Sequence, residues 1–294
     1  MTDKEKLIAD IVDIVMEQLA DRAVTAENAD FSGDFGGQEE LRDLTSRECR
    51  AVPLLDHPRD PEALKRMMGL TTARIGVGSA GARLKTRTLL TLRADHATAR
   101  DAVMMDVDPE VLKALDLFTV QTLCRDKNQF LTRPDLGRRL SDEAAETVRD
   151  RCVTAPDVQL IVADGLSSTA VNANIADVLP MMTDGLRAAG VRVGTAFFVR
   201  FARVAVEDQI AELVGAKVVC IFVGERPGLG TAESMSAYLA YNARVGMAEA
   251  RRTVVSNIHR DGITAVEAGA YLADLAVKLL EKKASGVELQ KQGD

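Results

Sequence analysis

Four apolar runs in the second half of the chain each lead directly into polar residues or glycine. VQLIVA opens into Asp164-Gly165-Leu166-Ser167-Ser168, and VRVGTAFFV into Arg200-Phe201-Ala202-Arg203-Val204. KVVCIFV opens into Gly224-Glu225-Arg226-Pro227-Gly228, and TVVS into Ser256-Asn257-Ile258-His259. If these runs are strands of one open sheet, their carboxyl ends form the rim where such sheets bind ligands. Carboxylates, arginines and an amide would then converge there, a set suited to gripping a polar ligand by charge and hydrogen bonds. A plainer account exists for each residue: Ser167 or Ser168 caps the next helix, and Glu225 pairs with an arginine. Four such ends together favour a ligand.

Two other motifs compete for attention. GVGSAG, residues 76 to 81, satisfies the dinucleotide pattern and precedes a helix, with Asp95 and Asp101 near the spacing of a ribose contact. TTARI before it is not a buried strand, so nicotinamide binding is the weaker reading. The histidines are His57, His96 and His259; His259, after a strand end, reads as a loop histidine with local hydrogen bonds. Cys49, Cys124, Cys152 and Cys220 are too widely spaced for a metal knuckle or redox pair, so reduced thiols and no metal site are expected. Cys220, inside an apolar run, reads as a buried, inert thiol.

The elements that must position this rim follow from periodicity. After Pro156, apolar runs alternate with helical patterns at residues 168–189, 205–214, 234–241 and 264–280, which predicts α/β architecture: a Rossmann-like parallel sheet over residues 154–294. Upstream, residues 55–153 read as mainly helical. Asp60-Pro61-Glu62 and Asp108-Pro109-Glu110 each set a capping carboxylate before a first-turn proline. Residues 82–104 support one long helix, and Ser141 caps another that runs toward Cys152. Residues 1–20 form an amphipathic pattern with Leu7, Ile8, Ile11, Val12, Val15 and Leu19 on one face. Residues 21–54 read as a flexible linker, glycine-rich between Ala26 and Glu40.

Composition narrows the function. The 37 basic and 44 acidic residues leave a net charge of −7, which disfavours nucleic acid and anionic lipid. No apolar run approaches the ~20 residues of a spanning helix, and no export or import signal is evident, so a cytoplasmic protein is expected.

Several segments resemble the ethanolamine ammonia-lyase small subunit family: VADGLSSTAVNANI, FFVRFARVAVEDQIAELVGAKVV, VGERPGLG, SNIH and VEAGAYLADLAVKLLEKKASG, with LTRPDLGRRLS and the GxAG turn at residues 78–81 upstream. The likeness runs from about residue 70 to the C-terminus. It implies one subunit of an adenosylcobalamin-dependent carbon–nitrogen lyase, which converts ethanolamine to acetaldehyde and ammonia by radical chemistry. In that family the catalytic side chains belong to a TIM-barrel large subunit, so no catalytic residue is expected here, and this chain would hold the cobalamin against its partner.

Carried over position by position, the family's cobalamin contacts fall on Val204 in FARVAVED and on Glu225 in VGERPG. A third contact is a cysteine in an RTCISN segment; Val254 stands in its place, so any role of a sulfur there is lost. A corrin ring is a broad apolar plate fringed with carboxamides, so Glu225 can accept an amide N–H while Val204 packs on the plate. No histidine lies in a DxHxxG pattern, which implies cobalamin bound with its own base on cobalt. The family also implies a microcompartment setting, where residues 1–20 would dock to the shell or other cargo; packing on this chain or on its partner is the alternative. A non-catalytic assembly protein and a nicotinamide dehydrogenase are the rival functions.

Overall fold

VQLIVA and VVCIFVG are apolar at nearly every position, a composition suited to strands covered on both faces. In the computed structural model, which describes residues 43–292, both lie inside a six-stranded sheet. The expected helix over residues 1–20 and the glycine-rich stretch at 26–40 lie outside the described residues. The elements in chain order are α1 (Arg47–Arg50), α2 (Pro61–Met68), β1 (Ser79–Ala80), β2 (Arg83–Leu84), α3 (Thr86–Met104), α4 (Pro109–Ala114), β3 (Phe118–Gln121) and α5 (Lys127–Thr132). There follow α6 (Asp142–Arg151), β4 (Val158–Ala163), α7 (Ser168–Ala188), β5 (Phe197–Arg200), α8 (Val206–Val214), β6 (Val218–Gly224), β7 (Met235–Tyr241), β8 (Thr253–Ile258), α9 (Ala265–Lys282) and α10 (Gly286–Lys291).

The strand order is β3-β5-β4-β6-β7-β8. β3, β5, β4 and β6 are parallel, whereas β7 pairs antiparallel with both β6 and β8. The sheet is therefore mixed, which corrects the all-parallel expectation. β3 also comes from the region read as mainly helical. One core lies on the side of α7 and α9, where Leu160, Val162, Phe222 and Leu239 meet Ile175, Met182, Leu272 and Leu279. A second core lies on the side of α6 and α8, where Ile161, Val199, Val219 and Ile221 meet Val148, Val206, Ile210 and Val214.

Residues 234–241, read as a helix, form strand β7 instead. Met, Leu and Ala favour helices, but MSAYLAY also alternates. Met235, Ala237 and Leu239 enter the first core, while Tyr238 and Ala240 pack toward the second. Strands on both sides pair its backbone, and that tertiary pairing outweighs local propensity.

The helix starts match their signals. Asp60, Asp108 and Ser141 accept backbone N–H groups of Ala63, Glu110 and Ala144, and Thr264 and Glu267 form a capping box at α9. The long helix begins at Thr86 rather than residue 82, because Gly81 turns at φ 61° between β1 and β2.

Candidate functional site

β4, β5 and β6 run parallel, and two antiparallel steps through β7 return β8 to the same direction. Gly224 pairs with Met235 and Met235 with Ile258, so the strand ends singled out in the sequence share one rim. Their side chains then divide into those engaged in building the rim and those outside that network of caps and turns.

Most belong to the first group. Asp164 is buried and accepts the N–H groups of Phe201 (2.8 Å) and Ala202 (3.0 Å), holding Phe201 at φ 58°. Burial pushes its carboxyl above the usual range, against the pull of Lys127 and those N–H groups. Ser167 caps α7 and donates to the Ala232 carbonyl (2.6 Å), while Ser168 donates to Met105 (2.7 Å). Arg200 bonds Asp106 at 2.8 Å, and Arg203 lies 4.2 Å from the Phe130 ring centroid. The β8 register gains one residue opposite β7 and Asn257 turns at φ 66°, so this asparagine makes a bulge that few other side chains tolerate. His259 is buried, and its Nδ1 accepts the Asp261 N–H. The plainer account, caps and turns, therefore holds for these residues.

Glu225, Val204 and Val254 fall in the second group. Glu225 is half-buried beyond β6, and its Oε1 accepts the Tyr238 hydroxyl at 3.1 Å. Tyr238 pairs across β7–β8 with Val254, placing both on one face of the sheet. Val204, half-buried just before α8, packs against the core on that same face. Helices α6 and α8 serve the β3 to β6 part of this face, while Val254 on the edge strand is 46% exposed. The three expected contacts thus lie on one side of the sheet, with Glu225 and Val204 half-buried and Val254 exposed. Tyr238 was missed because its segment read as a helix.

Nearby lies a buried charge cluster that the sequence reading did not single out. Arg252, at the foot of β8, donates to Glu207 Oε1 (2.7 Å), to both oxygens of Asp208 (2.7 and 2.8 Å) and to Glu249 (2.9 Å). Arg252, Glu207 and Asp208 are all buried. Glu207 and Asp208 open α8 and Arg252 lies just before β8, so the cluster fastens the start of α8 to the foot of β8. The signal was present as an acidic pair in the first turn of a helix, but such pairs usually serve the helix dipole at the surface.

Burial drives the Glu207 carboxyl well above its ordinary range, against the pull of Arg252. The folded chain then keeps this proton to a higher pH than the unfolded chain does. Its contribution is full below the ordinary glutamate range and fades as pH rises toward the folded value. Glu207→Gln should remove that fading, giving a flatter melting temperature from pH 5 to 8 than the parent; equal slopes would assign the proton elsewhere.

The remaining motifs have structural roles. GVGSAG leads into the β1–β2 hairpin, whose strand residues are exposed, and no buried strand feeds its glycines. Asp95 is buried, with Arg74 Nη2 at 2.8 Å and Arg50 Nη2 at 3.1 Å. Arg50 also donates to the carbonyls of Leu229 (3.1 Å) and Gly230 (2.9 Å), anchoring the far end of VGERPGLG. A cavity of about 560 Å³ opens beside this anchor, lined by Leu54, Val77, Leu84, Leu92 and Leu229. All four cysteines are free, Cys220 is buried, and burial pushes its thiol well above the usual range. Among the described residues, no helix is long and apolar enough to cross a membrane.

Comparison with known proteins adds a family to this geometry. Residues 61–290 match the family model described as ethanolamine ammonia-lyase light chain (EutC). Over 286 residues the chain is 48% identical to the ethanolamine ammonia-lyase small subunit of Clostridium perfringens, covering 97% of each. The small subunit of Clostridium tetani is 52% identical over 250 residues, 85% of each chain. That of Lachnoclostridium phytofermentans is 45% identical over 293 residues, covering 97% of this chain and 99% of the relative.

Proposed function

This chain belongs to the ethanolamine ammonia-lyase light-chain family, and from that premise we propose that it is the lyase subunit that grips adenosylcobalamin against a large partner subunit. The observation that supports the proposal is that Glu225, held by Tyr238, and the exposed Val254 opposite Tyr238 lie on the same side of the sheet as Val204. A corrin plate asks for apolar area and for acceptors at its amide fringe, and the residues present fit both demands.

Val204 and Val254 would meet the plate by van der Waals contact, and Glu225 would take an amide N–H. A charge-assisted hydrogen bond of that kind fixes orientation as well as adding affinity. When bound, adenosylcobalamin supplies the radical chemistry that lets the amine leave ethanolamine. The protein around these residues would orient the group. The rim acids and arginines are engaged in caps, turns and ion pairs, which suits a subunit that binds and positions while its partner carries the catalytic side chains. On this reading the β3 to β6 half of the sheet serves as a Rossmann-like platform.

Co-expression with a large ethanolamine ammonia-lyase subunit should give one complex that turns over ethanolamine only when adenosylcobalamin is added. In that complex Glu225→Gln should weaken cobalamin binding by roughly 10-fold, the scale of a hydrogen bond to a charged group. Subunits that purify apart and stay inactive, or a Glu225→Gln complex of unchanged affinity, would overturn the proposal.

A further inference from the structure

We infer that Tyr238 is a positioning residue for the Glu225 carboxylate, leaving a single oxygen of that group to receive the ligand. The inference deepens the cobalamin reading above and rests on it. Tyr238 pairs with Ile221 on β6, whereas Glu225 lies beyond Gly224, the last residue of that strand. For its hydroxyl to reach Oε1 at 3.1 Å, the phenol must extend along the sheet face toward the rim. Its same-face neighbours on β7, Ser236 and Ala240, are small and buried, which leaves room for the ring.

This arrangement has two effects. First, the donated O–H occupies Oε1, while Oε2 makes no hydrogen bond or ion pair to the described residues. A glutamate side chain has three rotatable bonds, and a tether on one oxygen removes most of the rotamers that would otherwise be lost on binding. Second, the ring forms the floor between Glu225 and Val254, its cross-strand partner, so one residue contributes both the tether and apolar area. The phenol remains a donor through the physiological range, because burial and then the Glu225 charge push its titration up to about 12.

The test is a double-mutant cycle in the complex with the large subunit, read by absorbance titration with adenosylcobalamin. Tyr238→Phe removes the hydroxyl and keeps the ring. It should weaken cobalamin binding about 3- to 10-fold, with a melting temperature close to the parent's. Glu225→Ala, which leaves the tether no acceptor, should cost roughly 10-fold or more, and the double variant should be within about 2-fold of Glu225→Ala alone. Losses that multiply, or a Tyr238→Phe complex with parental affinity while Glu225→Ala is weakened, would overturn the positioning role alone. Unchanged affinity in Glu225→Ala would instead remove the cofactor reading of this rim, and the role of Tyr238 with it.

Discussion

Arg252→Met should destabilise the protein by about 3 to 5 kcal/mol, the usual result of taking one partner from a buried ion pair. Arg252 is the sole cation among the described partners of Glu207 and Asp208, and its guanidinium faces Glu249 as well. Methionine fills much of the same volume, so the cost is electrostatic rather than a cavity. The stranded Asp208 carboxylate would have to take up a proton or let water in. For a domain of this size the loss corresponds to a fall in melting temperature on the order of 10 °C. Thermal or urea denaturation measures it directly. Arg252→Met combined with Glu207→Gln and Asp208→Asn should recover much of the loss, because no charge is then left unpaired. A cost below about 1 kcal/mol for Arg252→Met alone would mean that the cluster is held neutral by other means.

Gly224→Ala should be the most damaging single methyl in the described structure. The ends of β4 and β6 approach so closely that a Cβ on Gly224 would lie 2.0 Å from the Ser167 carbonyl oxygen. Across from it, Gly165 turns at φ 56°, and a Cβ there would lie 2.3 Å from the Gly224 carbonyl oxygen. Both obstacles are backbone, so neither can yield by a change of rotamer. The expected cost exceeds ~3 kcal/mol, the upper range of ordinary overpacking. Gly190→Ala is the control: its φ is 72°, but nothing lies within 4 Å of the added atom. It should cost only the backbone term of roughly 1 to 2 kcal/mol. Comparing the two variants by chemical denaturation separates close approach from conformational strain; equal costs would show that the strand ends can part.

The helix caps and the buried strands were legible because each depends on neighbours within a few residues. Asp60, Asp108, Ser141 and Ser167 act within their own first turns, and β4 and β6 announce themselves by apolar composition. Strand β7 was not legible, since its state depends on β6 and β8 supplying hydrogen bonds from both sides. That error also hid the antiparallel turn of the sheet and, with it, Tyr238. The Arg252 cluster joins residues 44 and 45 positions apart in the chain, and no local pattern marks such a pair. The rim was visible as a set of polar strand ends, but the division of labour within it was not. Whether Asp164 holds a turn or waits for a ligand depends on where Phe201 and Ala202 place their N–H groups.

Val254 shows what an edge strand with one open face permits. Its neighbour Val255 is 7% exposed and packs in the core, so the fold dictates that side chain, whereas Val254 at 46% owes the fold little. The side chain at position 254 can therefore change without a folding penalty. A thiol, an isopropyl group or a hydroxyl there would leave the sheet as it is, and on the proposed cobalamin reading would alter what a bound corrin meets. If the proposed reading holds, position 254 is a place to retune affinity one atom type at a time, on a scaffold that does not register the exchange.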